Sequence, residues 1–182
     1  MGIGRLLLRI TVGGFFFGHG TQKLFGWFGG KGLDATEQGF ESLGLHPARQ
    51  NAIAAGVAEA GSGALLVAGL ATPLAASALT ATMLTAIDTV HGSKGPWLSD
   101  GGYEYNAVLI AAAIALVEIG PGPLSLDAAR GKQRSGSLWA LAALAAAAIG
   151  ALGVRMLSAS QTPAGEPAAD AGAGADADAA QA

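Results

Sequence analysis

Apolar residues dominate this chain in blocks close to the roughly 20 residues that a membrane-spanning helix needs. The first block runs from Ile3 to about Phe28. The next, from Ala52 to Val90, is too long for one span, and Ala71-Thr72-Pro73 interrupts it. Proline suits the first turn of a helix, where its missing N–H forfeits no hydrogen bond. The pattern therefore predicts a tight hairpin, with a second helix near 50–71 and a third near 73–91. A fourth helix is predicted from about Glu104 to Ile119, ended by Gly120-Pro121-Gly122-Pro123. A fifth, rich in alanine and leucine, covers Leu138 to about Leu157. The stretches 29–49 and 92–103 read as loops. The fold class expected is all-α, an integral membrane four-helix bundle with an added fifth C-terminal transmembrane helix.

Composition moves the class the same way. Of 182 residues, 51% are hydrophobic and 13% are charged, against about a quarter charged in soluble domains. The mean hydropathy is +0.45. A net charge of −3 offers nothing to a nucleic acid. The chain has no cysteine, which excludes disulfides, a CxxC redox pair, thiolate metal sites and covalent haem on this chain. A signal peptide is a poor reading of the N-terminus, since Arg9, His19 and Lys23 interrupt the apolar run and no A-x-A site follows closely. Residues 158–182 hold four acidic residues and no basic one among Ala, Gly and Pro, a composition expected to stay disordered. The organisation expected is 1–130 as the four-helix membrane domain, 131–157 as a basic linker and fifth helix, and 158–182 as the acidic tail.

Arg5 and Arg9 flank one end of the first helix, and Arg130, Lys132 and Arg134 lie between the fourth and fifth. The positive-inside rule then puts the N-terminus in the cytoplasm and the tail outside. At about 100° per residue, Arg5, Arg9, His19 and Lys23 share a stripe about 80° wide. Exposing such groups to lipid costs about 2.5–3.5 kcal/mol each, so the stripe should face the bundle interior. Gly14 and Gly18 are spaced to let another helix approach. Buried cations need partners, and the acids in or beside spans are Glu59, Asp88, Glu104 and Glu118. Two clusters are expected. An outer one gathers His19, Lys23, Asp88, His91, Glu104 and Asn106, with Lys23 paired to Glu104 or Asp88. An inner one joins Arg5, Arg9 and Glu118, with Glu59 between the two.

Plainer readings compete with these. Arg5 can snorkel to the membrane face, and buried ion pairs can serve only to register helices. Trp27 and Trp97 suit an interfacial aromatic belt. His46 and Asp34 are expected to be solvated. No HExxH, GxSxG, P-loop or GxGxxG occurs. His19 and His91 both lie toward the outer side, so neither a metal nor a haem ligand set is read.

Several stretches together resemble the DoxX family. They are Arg9 to Gly13, His19 to Gly26 (HGTQKLFG), Glu59 with Gly61, Ala86 to His91, Gly101 to Asn106 (GGYEYN), and Gly120 to Asp127. The likeness covers about 3–130. It implies a four-helix bacterial inner-membrane protein, with the positions of interest Arg9, His19, Lys23, Glu59, His91, Glu104, Asn106 and Asp127. Gly20, Gly26, Gly102, Gly120 and Gly122 belong to its structural motifs. The family takes its name from a subunit of a thiosulfate:quinone oxidoreductase. The resemblance therefore implies a redox-complex subunit, linked to quinone and sulfur chemistry and to oxidative or thiol stress. Implied partners are a soluble oxidoreductase, a sulfurtransferase or a superoxide dismutase, beside the lipid bilayer. On this reading an outer polar pocket binds a quinone head group or a small sulfur oxyanion. Two alternatives are a non-enzymatic scaffold that anchors soluble redox enzymes, and a small-solute or proton pathway. The fifth helix and tail depart from the compact family pattern.

Overall fold

The computed structural model describes residues 2–161. Among these residues it has seven α-helices and no strand. They are α1 (Ile3–Phe25), α2 (Gly32–Ser42), α3 (Ala48–Ala68), α4 (Thr72–Ala86), α5 (Glu104–Ile119), α6 (Leu126–Ala129) and α7 (Ser137–Gln161). A π turn (Ile87–His91) and a 3-10 turn (Gly92–Lys94) continue α4. The chain is an all-α membrane protein. Among the described residues three segments are long and apolar enough to cross a bilayer, Ala48–Ala68, Thr72–Lys94 and Ser137–Gln161. The other two predicted spans are less ideal. The 23-residue α1 carries Arg5, Arg9 and Lys23, and α5 has 16 residues, about 24 Å of helix against a hydrocarbon core of about 30 Å. Both pack into the same bundle.

Helix ends follow local chemistry. Gly26 ends α1 in the left-handed region (φ 72°), so the helix stops before the predicted Phe28. Gly69 does the same for α3, donating its N–H to Leu66 O while Leu70 N–H bonds Leu65 O. Pro73 falls in the first turn of α4, as the hairpin reading requires. The predicted loop 29–49 contains α2. Leu33 and Phe40, seven residues apart, supply the apolar side of this short amphipathic helix. Helix α7 extends to Gln161, four residues into the predicted tail; the rest of the tail lies outside the described residues.

Helix α1 packs along α3, α3 against α4, α4 against α5, and α7 lies on α4 and α5. The α1–α3 contact is made through glycines. A Cβ on Gly20 would fall 2.3 Å from Ala60 N, and one on Gly63 would fall 2.3 Å from Phe17 N. Gly14 and Gly18, the expected contact pair, face open space instead. They lie on another face of α1, because Gly13 and Gly20, seven residues apart, are the ones turned to α3.

The core is one-ended. Its buried residues are Val12 and Phe16 of α1, Leu66 of α3, Ala75, Ala76 and Leu79 of α4, Ala113, Leu116 and Val117 of α5, and Ala140 and Ala143 of α7. They occupy the middle of α1, the end of α3 and α5, and the start of α4 and α7. Most of these lie toward the Arg5 end of the bundle, and Val12 and Phe16, at mid-helix, also face the space beyond it.

That end is closed further by a polar rivet. The buried Arg9 guanidinium donates to the carbonyls of Pro121, Leu124 (2.6 Å) and Val67 (3.2 Å). Arg5 donates to Ile119 O at 2.7 Å. Buried Asp127 accepts from Thr72 N–H at 3.4 Å and donates its own N–H to Gly69 O at 3.0 Å. Gly122, at φ 86°, lets the Arg5 side chain lie against the loop. Glu118, the expected inner partner of the arginines, accepts from Ser137 Oγ at 2.8 Å instead. Backbone carbonyls freed by the Gly-Pro breaker reach into the bundle, so they take the cations.

Candidate functional site

At the opposite end the same helices enclose a cavity of about 730 Å³. Its walls come from α1 (including Phe15, Phe16, His19 and Lys23), α3 (Asn51, Ala55, Glu59), α4 and its π turn (Thr82, Thr85, His91), α5 (Tyr105, Asn106, Leu109) and α7 (Gly150, Val154). Phe40 of α2 and the following Leu43 and Leu45 line its end. The void follows from side-chain size. Leu66 and Leu79 fill the far ends of α3 and α4 alongside core alanines, whereas the stretch of α3 and α4 that faces the cavity presents Ala54, Ala55, Ala58, Ala78 and Ala81. Volumes of about 300–1,000 Å³, mostly apolar with a few convergent polar groups, are usual for small-molecule sites.

The central polar feature is an ion pair. Lys23 Nζ donates to Glu59 Oε2 at 2.7 Å. The Glu59 side chain is 7% exposed and that of Lys23 is 28% exposed. The pairing of Lys23 with Glu104 or Asp88 expected from sequence is not made. Because glycines press α1 against α3, Lys23 lies beside Glu59. Asp88 turns outward and pairs with Arg155 of α7 at 2.9 Å. Glu104 opens α5, where its N–H bonds Pro96 O, and it is not part of the lining.

The other polar groups divide by what they already bond. Thr82 and Thr85 donate to Leu79 O and Ala81 O on their own helix, so they present a mostly apolar wall. His91 Nδ1 lies 2.7 Å from Gly101 O. A carbonyl only accepts, so Nδ1 carries the hydrogen, and Nε2 of the neutral ring is left as an acceptor. The close turn that supplies this carbonyl depends on Gly102, where a Cβ would fall 2.2 Å from Gly95 O. Asn106 is 6% exposed, and among the described residues its Nδ2 has only Met83 Sδ, at 3.4 Å.

Of the eight candidate residues, the structure brings His19, Lys23, Glu59, His91 and Asn106 to one cavity. Arg9 holds the 120–124 loop, Asp88 pairs with α7, and Glu104 stands outside the lining. Asn51 and the α2 segment were missed. A polar residue before an alanine-rich run was the available signal for Asn51. Among the described residues no three His, Asp or Glu side chains converge as a metal set would.

A membrane bundle riveted at one end and hollow at the other, with a buried ion pair in the hollow, defines a multi-pass helical protein with an internal ligand-sized site. The DoxX family profile matches residues 4–92. CatD of Bacillus subtilis (strain 168), whose name assigns it provisionally to the oxidoreductases, is 35% identical over 125 residues, 69% of this chain and 85% of CatD. The chain belongs to the DoxX family. No solved structure matches it.

Proposed function

We propose that this protein is the membrane subunit of an oxidoreductase assembly in the bacterial inner membrane, and that its cavity takes the head group of a quinone. The observation that carries the reading is a cavity of about 730 Å³ with aromatic and aliphatic walls and a Lys23–Glu59 pair at 2.7 Å. A quinone ring is flat and apolar on its faces and carries carbonyl acceptors at its edge. The Lys23 ammonium has three donors, of which Glu59 uses one, so it can donate to a ring oxygen without losing its counter-ion. The two charges cancel. A neutral guest therefore enters at little electrostatic cost, whereas a sulfur oxyanion would bring unpaired charge into an apolar space. Sulfur chemistry thus belongs to a partner.

Reduction of the ring to a quinol takes two electrons and two protons. A redox centre on a soluble partner supplies the electrons, since this chain has no cysteine for thiol chemistry. Glu59, Lys23, His19 and His91 are the groups placed to move protons to the ring oxygens. The scaffold reading draws its support from Arg9 and Asp88, whose partners are backbone carbonyls and α7 rather than the cavity. The filled core at the Arg5 end argues against a through-pathway.

The test is calorimetric titration of the full-length protein in lipid nanodiscs with a short-chain quinone. Micromolar binding is expected, weakened at least tenfold by the Lys23→Met, Glu59→Leu double variant. Absence of binding by the wild type would overturn the reading.

A further inference from the structure

One polar side chain in the cavity has no part in the chemistry above. Asn51, in the first turn of α3, is 8% exposed and lines the cavity. Its Nδ2 is sealed from solvent and donates to nothing among the described residues. Its backbone N–H already bonds Pro47 O, and its side chain caps no helix. A buried amide with an unused donor is unfavourable in a folded chain. If packing were its whole role, leucine would serve better in a lining that is mostly apolar. Nδ2 does not itself face the void, but the last torsion of asparagine is broad, and a turn about it exchanges Nδ2 with Oδ1 and brings the donor to the cavity. A second amide lines the same space from α5, where Asn106 has, among the described residues, only a thioether as acceptor, a weak one. Asn51 lies eight residues from Glu59, about 12 Å along the α3 axis, at the α2 end of the cavity.

We infer that Asn51 is a specificity-determining residue of this cavity, donating a hydrogen bond to an oxygen of the bound ligand at its α2 end while Lys23 and Glu59 hold the ligand deeper. The ligand class that fits is a neutral amphiphile with oxygen acceptors at two places. The identity of that ligand as a quinone rests on the proposed function; its contact with Asn51 does not.

The test uses full-length Asn51→Leu and Asn51→Ala in nanodiscs, with two readouts. One is affinity for a short-chain quinone. The other is mass spectrometry of amphiphiles that copurify from the native membrane. Both variants should bind about tenfold more weakly, the loss expected for one hydrogen bond. The melting temperature of Asn51→Leu should hold or rise, since an unsatisfied amide is gone. If the variants bind the quinone as well as the wild type does, the Asn51 inference is overturned and the proposed function stands. If the wild type rejects the quinone but copurifies another oxygen-bearing amphiphile that both variants lose, the inference stands and the quinone reading falls. If nothing binds or copurifies, both are overturned.

Discussion

Lys23 and Glu59 show how much depends on a single contact. Glu59 is nearly sealed, and its charge is tolerable there because an ammonium lies 2.7 Å away. Removing one member of a buried pair costs about 3–5 kcal/mol, whereas replacing both with apolar residues is often neutral. Lys23→Ala should therefore lower stability by about 3 kcal/mol. Lys23→Met with Glu59→Leu should recover most of that, as read by thermal unfolding in nanodiscs. Equal losses in the two would show that volume rather than charge matters. Arg9 makes the complementary case. Its planar fork spreads over carbonyls on α3 and on the 120–124 loop, and lysine, a point charge, cannot span them. Arg9→Lys should cost about 2 kcal/mol and open the loop to protease, while quinone affinity of the folded fraction stays unchanged. Retained protease resistance would refute the rivet.

The decisive contact between elements is the one between α1 and α3. It sets the helix separation, and so decides which acid Lys23 reaches. Gly20 has no room for a methyl group, since its Cβ would fall 2.3 Å from Ala60 N and 2.5 Å from Gly56 O. Gly18, on the same helix, meets nothing within 4 Å. Gly20→Ala should force the helices apart and lower the melting temperature sharply. Gly18→Ala should be neutral or stabilise by up to about 1 kcal/mol through helix propensity. Similar behaviour of the two variants would mean that this contact does not organise the bundle. Helix α7 contributes as a wall as well as an anchor, through Gly150 and Val154 in the lining and Arg155 on Asp88.

Across the whole molecule, the bundle is filled and riveted at the Arg5 end and hollow at the α2 end. If the N-terminus is cytoplasmic, the cavity sits in the outer half of the membrane and any electron-donating partner must reach it from that side. The chain has no native cysteine, so single substitutions report orientation directly. Ser99→Cys should react with a membrane-impermeant maleimide on intact cells, and Lys132→Cys should react only after the membrane is opened. The reverse pattern would invert the topology and with it the side from which the site is served.

The sequence by itself determined the number and order of the five long helices, the break at Ala71–Pro73, and the membrane class. Each is a local property: apolar runs, proline and glycine punctuation and charge spacing act within one turn or one span. It also placed Lys23 and His19 on an inward stripe, and the cavity lies under that stripe. Only the tertiary structure decided that Lys23 pairs with Glu59 rather than Glu104 or Asp88. It also decided that Gly13 and Gly20 rather than Gly14 and Gly18 make the close contact, and that Asn51 ends with an idle donor in the lining. These depend on how two helices cross, and crossing is set by the shapes of both surfaces at once. A cavity is harder still to read from sequence, because it consists of the volume that alanines on α3 and α4 leave unfilled once the other helices are in place.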